Sequence, residues 1–243
     1  MTASQRAIFT NAAARWSEII VEDIPDVSIS GFGFVDDVVI DASAVDIDGV
    51  GGVLGQAGPT QLWNSSLLPA RGIMEFDRFD VDRLEASGRL EDVILHEMGH
   101  VLGIGTIWNS LDLLTGAGGA DPQFVGSQAT AEYNRLFGVN ASSVPVANVG
   151  GPGTRDGHWR ESTFGNELMT GTLNSGVNPI SRVTIGSLAD LGYTVNLGAA
   201  DSFTPPSNLV ASSSLLEGAS EAGNLGSALE GEFIGTEIQV LSA

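Results

Sequence analysis

With 243 residues and 42% hydrophobic side chains, the chain is long enough for one large domain or two modest ones, each with a real core. Thirty acidic residues against ten basic leave a net charge of -20, which works against binding nucleic acid or an anionic membrane. No cysteine is present, so disulfides and thiol-based latency are excluded within this chain, and no apolar run approaches the roughly 18 residues of a membrane span.

Apolar positions at helical spacing (Ala7, Ile8, Trp16, Ile19, Ile20) predict an amphipathic helix over 3–21. The N-terminus has no basic stretch leading into an apolar block, so no secretory signal peptide is read there. Residues 38–47 are β-branched and partly alternating, which predicts a strand. Residues 48–61 carry five glycines and one proline and read as a loop. The short apolar stretch Gly72, Ile73, Met74, Glu75, Phe76 reads as a strand, 78–86 as a short helix, and Ser87-Gly88 as a break. Residues 90–102 predict a helix, with Glu91 and Asp92 at its electropositive start and Gly103 as its stop. Beyond it, 103–157 is rich in Gly, Ser, Asn and Pro around a helix at 127–137, and a further helix is expected at 180–191. There is no internal repeat. The pattern weakens after Asn196, so the main domain is expected to span 1–200, with 201–243 an extension or linker.

The chemistry sits on the 90–102 helix. His96-Glu97-Met98-Gly99-His100 is H-E-x-x-H, and residues four apart on a helix share one face about a turn apart, so two imidazoles can reach one zinc ion. Glu97, next to His96, is placed to hold a water beside the metal rather than to bind the metal. A catalytic zinc needs a third protein ligand and an open fourth position. The sequence has three histidines, and the third is His158; an Asp or Glu could serve instead. The segment DIDG at 46–49 hints at a calcium loop, but a full calcium motif needs more ligands, and a turn accounts for it better.

Around these residues the sequence resembles the leishmanolysin family of metzincin zinc peptidases. His96, Glu97, His100 and Gly103 match H-E-x-x-H-x-x-G. Most metzincins place the third histidine where this chain has Thr106; leishmanolysins separate it by a long insertion, and here 57 residues lie between His100 and His158. His158-Trp159, Glu167-Leu168-Met169, Asn178-Pro179-Ile180-Ser181-Arg182 and Asp190-Leu191-Gly192-Tyr193 also match, so the likeness is good over about 70–195 and looser before it. The lack of cysteine, against cysteine-rich protozoan members, points to a bacterial-type relative.

The resemblance implies an α/β (α+β) metzincin-type zincin, with a small twisted sheet and the active-site helix in an N-terminal subdomain (1–103) and an irregular C-terminal subdomain (104–200). It implies one zinc held by His96, His100 and His158, Glu97 as general base, and Met169 in a structural turn beneath the metal. Gly72, Ile73, Met74, Glu75 and Phe76 would then be the edge strand that pairs with an extended protein or peptide substrate. Calcium is a second, less supported cofactor. A secreted or cell-surface location is expected, with export by a C-terminal signal in a longer chain. The rival reading is a catalytically silent zinc module such as an adhesin, against which stands Glu97, which a structural zinc site does not need. A non-peptidase zinc hydrolase is the third.

Overall fold

The computed structural model describes residues 1–24, 26–29 and 33–206, and the backbone of 227–228 and 239–241. Thr2 opens the first helix, α1 (Ala3–Ile19): its hydroxyl accepts from the Gln5 amide at 3.1 Å while the Gln5 side chain accepts from the Thr2 amide at 2.8 Å. Ala12, Trp16 and Ile19 form its buried stripe. A short antiparallel pair follows, β1 (Val27–Ile29) with β2 (Gly33–Val35).

The main sheet is built from β3 (Val39–Val45), β4 (Gly55–Trp63) and β5 (Pro69–Asp77). β5 lies in the middle, parallel to β3 and antiparallel to β4. This corrects the expectation for Gly72, Ile73, Met74, Glu75 and Phe76. They lie in β5, whose backbone is paired on both sides, so this stretch has no free edge to offer a substrate. Met74 and Phe76 point into the core instead.

The free edge belongs to a stretch expected as loop. From Gly55 the chain forms β4, and small residues rather than β-branched ones fill it because the active-site helix packs close against this part of the sheet. A methyl at Gly55 would come 2.8 Å from Glu97 Oε1 of that helix. Pro59, which has no N–H to give the ladder, sits where the register shifts before Gln61. On the outer side of β4, β11 (Gln239–Leu241) pairs in parallel with Gln61, Leu62 and Trp63, and among the described residues nothing pairs with the outer side of 55–60.

Asp77 caps α2 (Arg78–Ala86), accepting from the Phe79 amide at 2.8 Å. Its other oxygen gathers the amides of Ile47, Asp48 and Gly49. Asp48 in turn accepts from the Val53 amide and Asp46 pairs with Arg78. The carboxylates of the 46–49 segment are thus engaged by protein donors, as in a turn. Then comes α3 (Leu90–Val101), the helix of the H-E-x-x-H motif, with Glu91 and Asp92 in its first turn. It lies between α1 and the sheet: the Trp16 indole donates to the Leu95 carbonyl at 3.1 Å, and Val101 reaches Gly72 of β5.

The second half has little regular structure. β6 (Leu114–Thr115), β7 (Gln123–Phe124) and β8 (Val144–Pro145) form a small antiparallel sheet. α4 (Ser127–Phe137) packs on α6 (Arg182–Leu191), with α5 (Glu161–Phe164) and β9 (Thr172–Leu173) between them in sequence. Asp190 accepts from the Gln128 and Ala129 amides at the start of α4, and Arg182 forks onto Glu132. Trp108, Phe124, Trp159 and Phe164 stack into an aromatic core. The chain is a mixed α+β protein. Most of the 201–243 extension lies outside the described residues. Of the described part, Asp201 bonds with Ile180 and Arg15, Phe203 stacks near Phe137 and Phe164, and β10 (Ser227–Ala228) pairs with β9.

Candidate active site

His96 and His100 leave α3 on one face, as residues four apart must. Gly103, in the left-handed region at φ 107°, turns the chain away after the helix. Thr106 stands where a nearby third histidine would be, and its hydroxyl donates to the His100 carbonyl at 2.8 Å, which also accepts from the Gly103 amide at 3.1 Å. His158 arrives from the far side of the insertion. Asp156, in the left-handed region, donates its amide to the Ala147 carbonyl, and Ala147 returns its own amide to the His158 carbonyl.

The three rings converge. Their Nε2 atoms form a triangle with sides of 2.9, 3.0 and 3.1 Å. Each Nδ1 faces a backbone carbonyl: His96 that of Leu168 at 2.7 Å, His100 that of Ile104 at 2.8 Å, His158 that of Thr154 at 2.9 Å. A carbonyl only accepts, so each Nδ1 carries the proton and each Nε2 is a bare lone pair. Three lone pairs at such distances repel one another and cannot hydrogen-bond among themselves; a cation at their centre resolves the conflict. The donor set therefore fits a metal ion, and among the described residues no other buried group of His, Asp or Glu clusters in this way. Asp23, Asp36 and Asp37 come together too, but all three are exposed.

Burial keeps all three rings neutral: it lowers His100 to about 4 and His158 to about 3, and holds His96 well below the usual imidazole range with help from its two neighbours. Glu97 is fully buried beside them, and neither carboxylate oxygen has a hydrogen-bond partner within the protein. Desolvation pushes its carboxyl well above the ordinary range. It faces the start of β4, since a methyl at Gly55 would come 2.8 Å from Glu97 Oε1. A hollow of about 310 Å³ opens beside His100, bordered by Thr106, Asn109, Arg155 and Asp156.

Met169 is fully buried under α3, and a methyl at Gly99 would come 2.8 Å from its sulfur. Trp159 is packing: it is fully buried against Trp108 and Phe164 and donates its indole N–H to Thr184 Oγ1 at 2.8 Å. Sequence reasoning brought His96, Glu97, His100, His158 and Met169 to this place and missed two contributors. The β4 edge was hidden by its glycines. Glu167 was visible only as part of a motif, because its partners lie in other elements.

A search of curated proteins finds no significant match. A family model described as leishmanolysin matches residues 21–216. Those residues include the whole histidine cluster, Glu97 and the turn at Met169, and the chain belongs to the leishmanolysin family of metallopeptidases.

Proposed function

We propose that this protein is a zinc endopeptidase of metzincin type that hydrolyses peptide bonds in proteins, with His96, His100 and His158 as the zinc ligands and Glu97 as the general base. The observation that carries this reading is the pairing of three bare imidazole nitrogens with an unpartnered buried carboxylate next to them. A structural zinc site needs only the first; a hydrolase needs both. When bound, zinc supplies Lewis acidity, polarising the scissile carbonyl and lowering the pKa of water. Glu97 takes the proton of the attacking water and hands it to the leaving amine, a role suited to a carboxyl whose basicity burial has raised. The Leu168, Ile104 and Thr154 carbonyls hold the rings in the tautomer that keeps each Nε2 free.

Substrate would lie along the outer side of β4, at 55–60, where among the described residues no strand pairs with the backbone beside Glu97. The hollow beside His100 would take one of its side chains. In this reading 1–103 forms one wall of the cleft, 104–200 the other, and 201–243 is an extension. Among the described residues no helix is long and apolar enough to cross a membrane. We place the activity outside the cell or at its surface, in keeping with the acidic charge.

The test is digestion of casein or gelatin by purified protein, with and without a chelator, alongside metal analysis. Cleavage that stops on chelation and returns with zinc supports the proposal. Bound zinc without proteolysis would instead point to a silent adhesin-like module, and absence of zinc would sink the reading.

A further inference from the structure

Glu167 is a fully buried carboxylate outside the histidine cluster that no step above uses. Its two oxygens are shared among three donors. Oε2 accepts from the Met169 amide at 2.6 Å. Oε1 accepts from the Ser181 amide at 3.0 Å and, closely, from the Thr184 hydroxyl. Ser181 is the N-cap of α6, so the carboxylate lies at the positive end of that helix. Thr184 in turn receives the indole N–H of Trp159, the residue after His158.

We propose that Glu167 is the positioning residue of the metal centre, holding the turn at 168–169 so that the Leu168 carbonyl orients His96 while the Met169 carbonyl ties down the backbone beside His158. This rests on the zinc peptidase reading above. The two links are on either side of one residue, Met169. The Leu168 carbonyl receives His96 Nδ1–H at 2.7 Å, and the Met169 carbonyl receives the Trp159 amide at 2.9 Å. Glu167 grips the Met169 amide between them. Leu168 itself is steadied from the other side, where its amide donates to the Pro179 carbonyl just ahead of α6. One ligand comes from α3 and another from the end of a long insertion, so their rings need a common reference, and the Glu167 turn bonds to the first ring and to the backbone of the residue after the second. Packing alone does not call for a carboxylate here. Two buried amides and a hydroxyl, all donors, call for an acceptor with two oxygens. Glutamine fits the same space but turns one oxygen into a donor that must face one of these donors.

The experiment compares wild type with Glu167→Gln, each loaded with zinc. It reads zinc affinity by competition with a chromogenic chelator, kcat and KM on a peptide, the thermal midpoint, and the visible absorption of the cobalt-substituted protein. Glu167→Gln is expected to weaken zinc binding by about 10–100-fold and to lower kcat with KM nearly unchanged. The cobalt bands should shift, because the His96 ring is no longer held. A lower thermal midpoint with unchanged zinc affinity and cobalt spectrum would make Glu167 merely structural and overturn the proposal. If Glu167→Gln does not fold, Glu167→Asp decides: it keeps the carboxylate but shortens its reach, so it should give a smaller loss of zinc affinity in the same direction while leaving the Trp159–Thr184 bond in place, and no loss would overturn it. Wild type that binds zinc and cuts peptide while the variant matches it refutes only this inference; wild type that does neither refutes the peptidase reading as well.

Discussion

At the residue scale, Glu97 and the histidines separate cleanly by what each would do. Glu97 touches no protein donor, so removing its carboxyl should leave the metal in place. Glu97→Ala is expected to retain zinc and lose about 10²–10⁴-fold in kcat, measured by metal analysis and peptide hydrolysis side by side. His158→Ala should act differently and lower zinc affinity and activity together. A His158 variant with full zinc affinity would mean that a carboxylate is the third ligand. Acidity tests the same set. A protonated imidazole cannot bind metal, and an ordinary histidine protonates near 6.5. Burial lowers His100 to about 4 and His158 to about 3, so the neutral, binding form persists to lower pH. Zinc should therefore stay bound on dialysis at about pH 5.5 and leave only as the pH drops towards 4. Loss already near pH 6.5 would contradict the burial of these rings. His96, Glu97 and His100 were legible because their spacing is local to one helix. His158 was legible only through the scarcity of histidine and the likeness to a family, and Glu167 had no local signal for its role.

At the element scale, the site depends on α3 lying close to β5. Gly72 makes that approach feasible: a methyl there would collide with Val101 Cγ1 and come 2.8 Å from the Gly58 carbonyl oxygen of β4. Gly72→Ala should destabilise the fold by about 1–3 kcal/mol, read as a lower urea midpoint, because helix or sheet must shift. A neutral substitution would show that α3 has slack. The helices expected at 78–86, 90–102 and 127–137 were read from their periodicity and ends, and they form at 78–86, 90–101 and 127–137, since those cues lie within a dozen residues. The loop expected at 48–61 and the edge strand expected at 72–76 both failed for one reason. Which strands flank another is set by partners distant in sequence, and glycines chosen for close helix packing look locally like loop.

At the scale of the whole molecule, the two halves meet at the histidines, and the chain just past residue 200 helps join them. Asp201 accepts from the Ile180 amide and pairs with Arg15 of α1, and Phe203 lies against Phe137 and Phe164. A chain ending at 206 should keep these contacts, whereas one ending at 200 loses them and should be less stable by roughly 2 kcal/mol, mostly from Phe203. Urea unfolding of the two truncations checks this, and equal midpoints would mean that 201–206 contribute nothing. By itself the sequence determined that His96 and His100 share one face with Glu97 next to His96, because H-E-x-x-H spans about one helical turn, and it determined the charge and the lack of disulfides, which are properties of composition. Only the tertiary structure decided that β5 is central while β4, among the described residues, is unpaired along the outer side of 55–60, that His158 crosses 57 residues to complete the triangle, and that Glu167 grips the Met169 amide next to the carbonyl that faces His96. Those outcomes depend on contacts between segments far apart in the chain, and no local pattern of residues encodes which distant segment will be the partner.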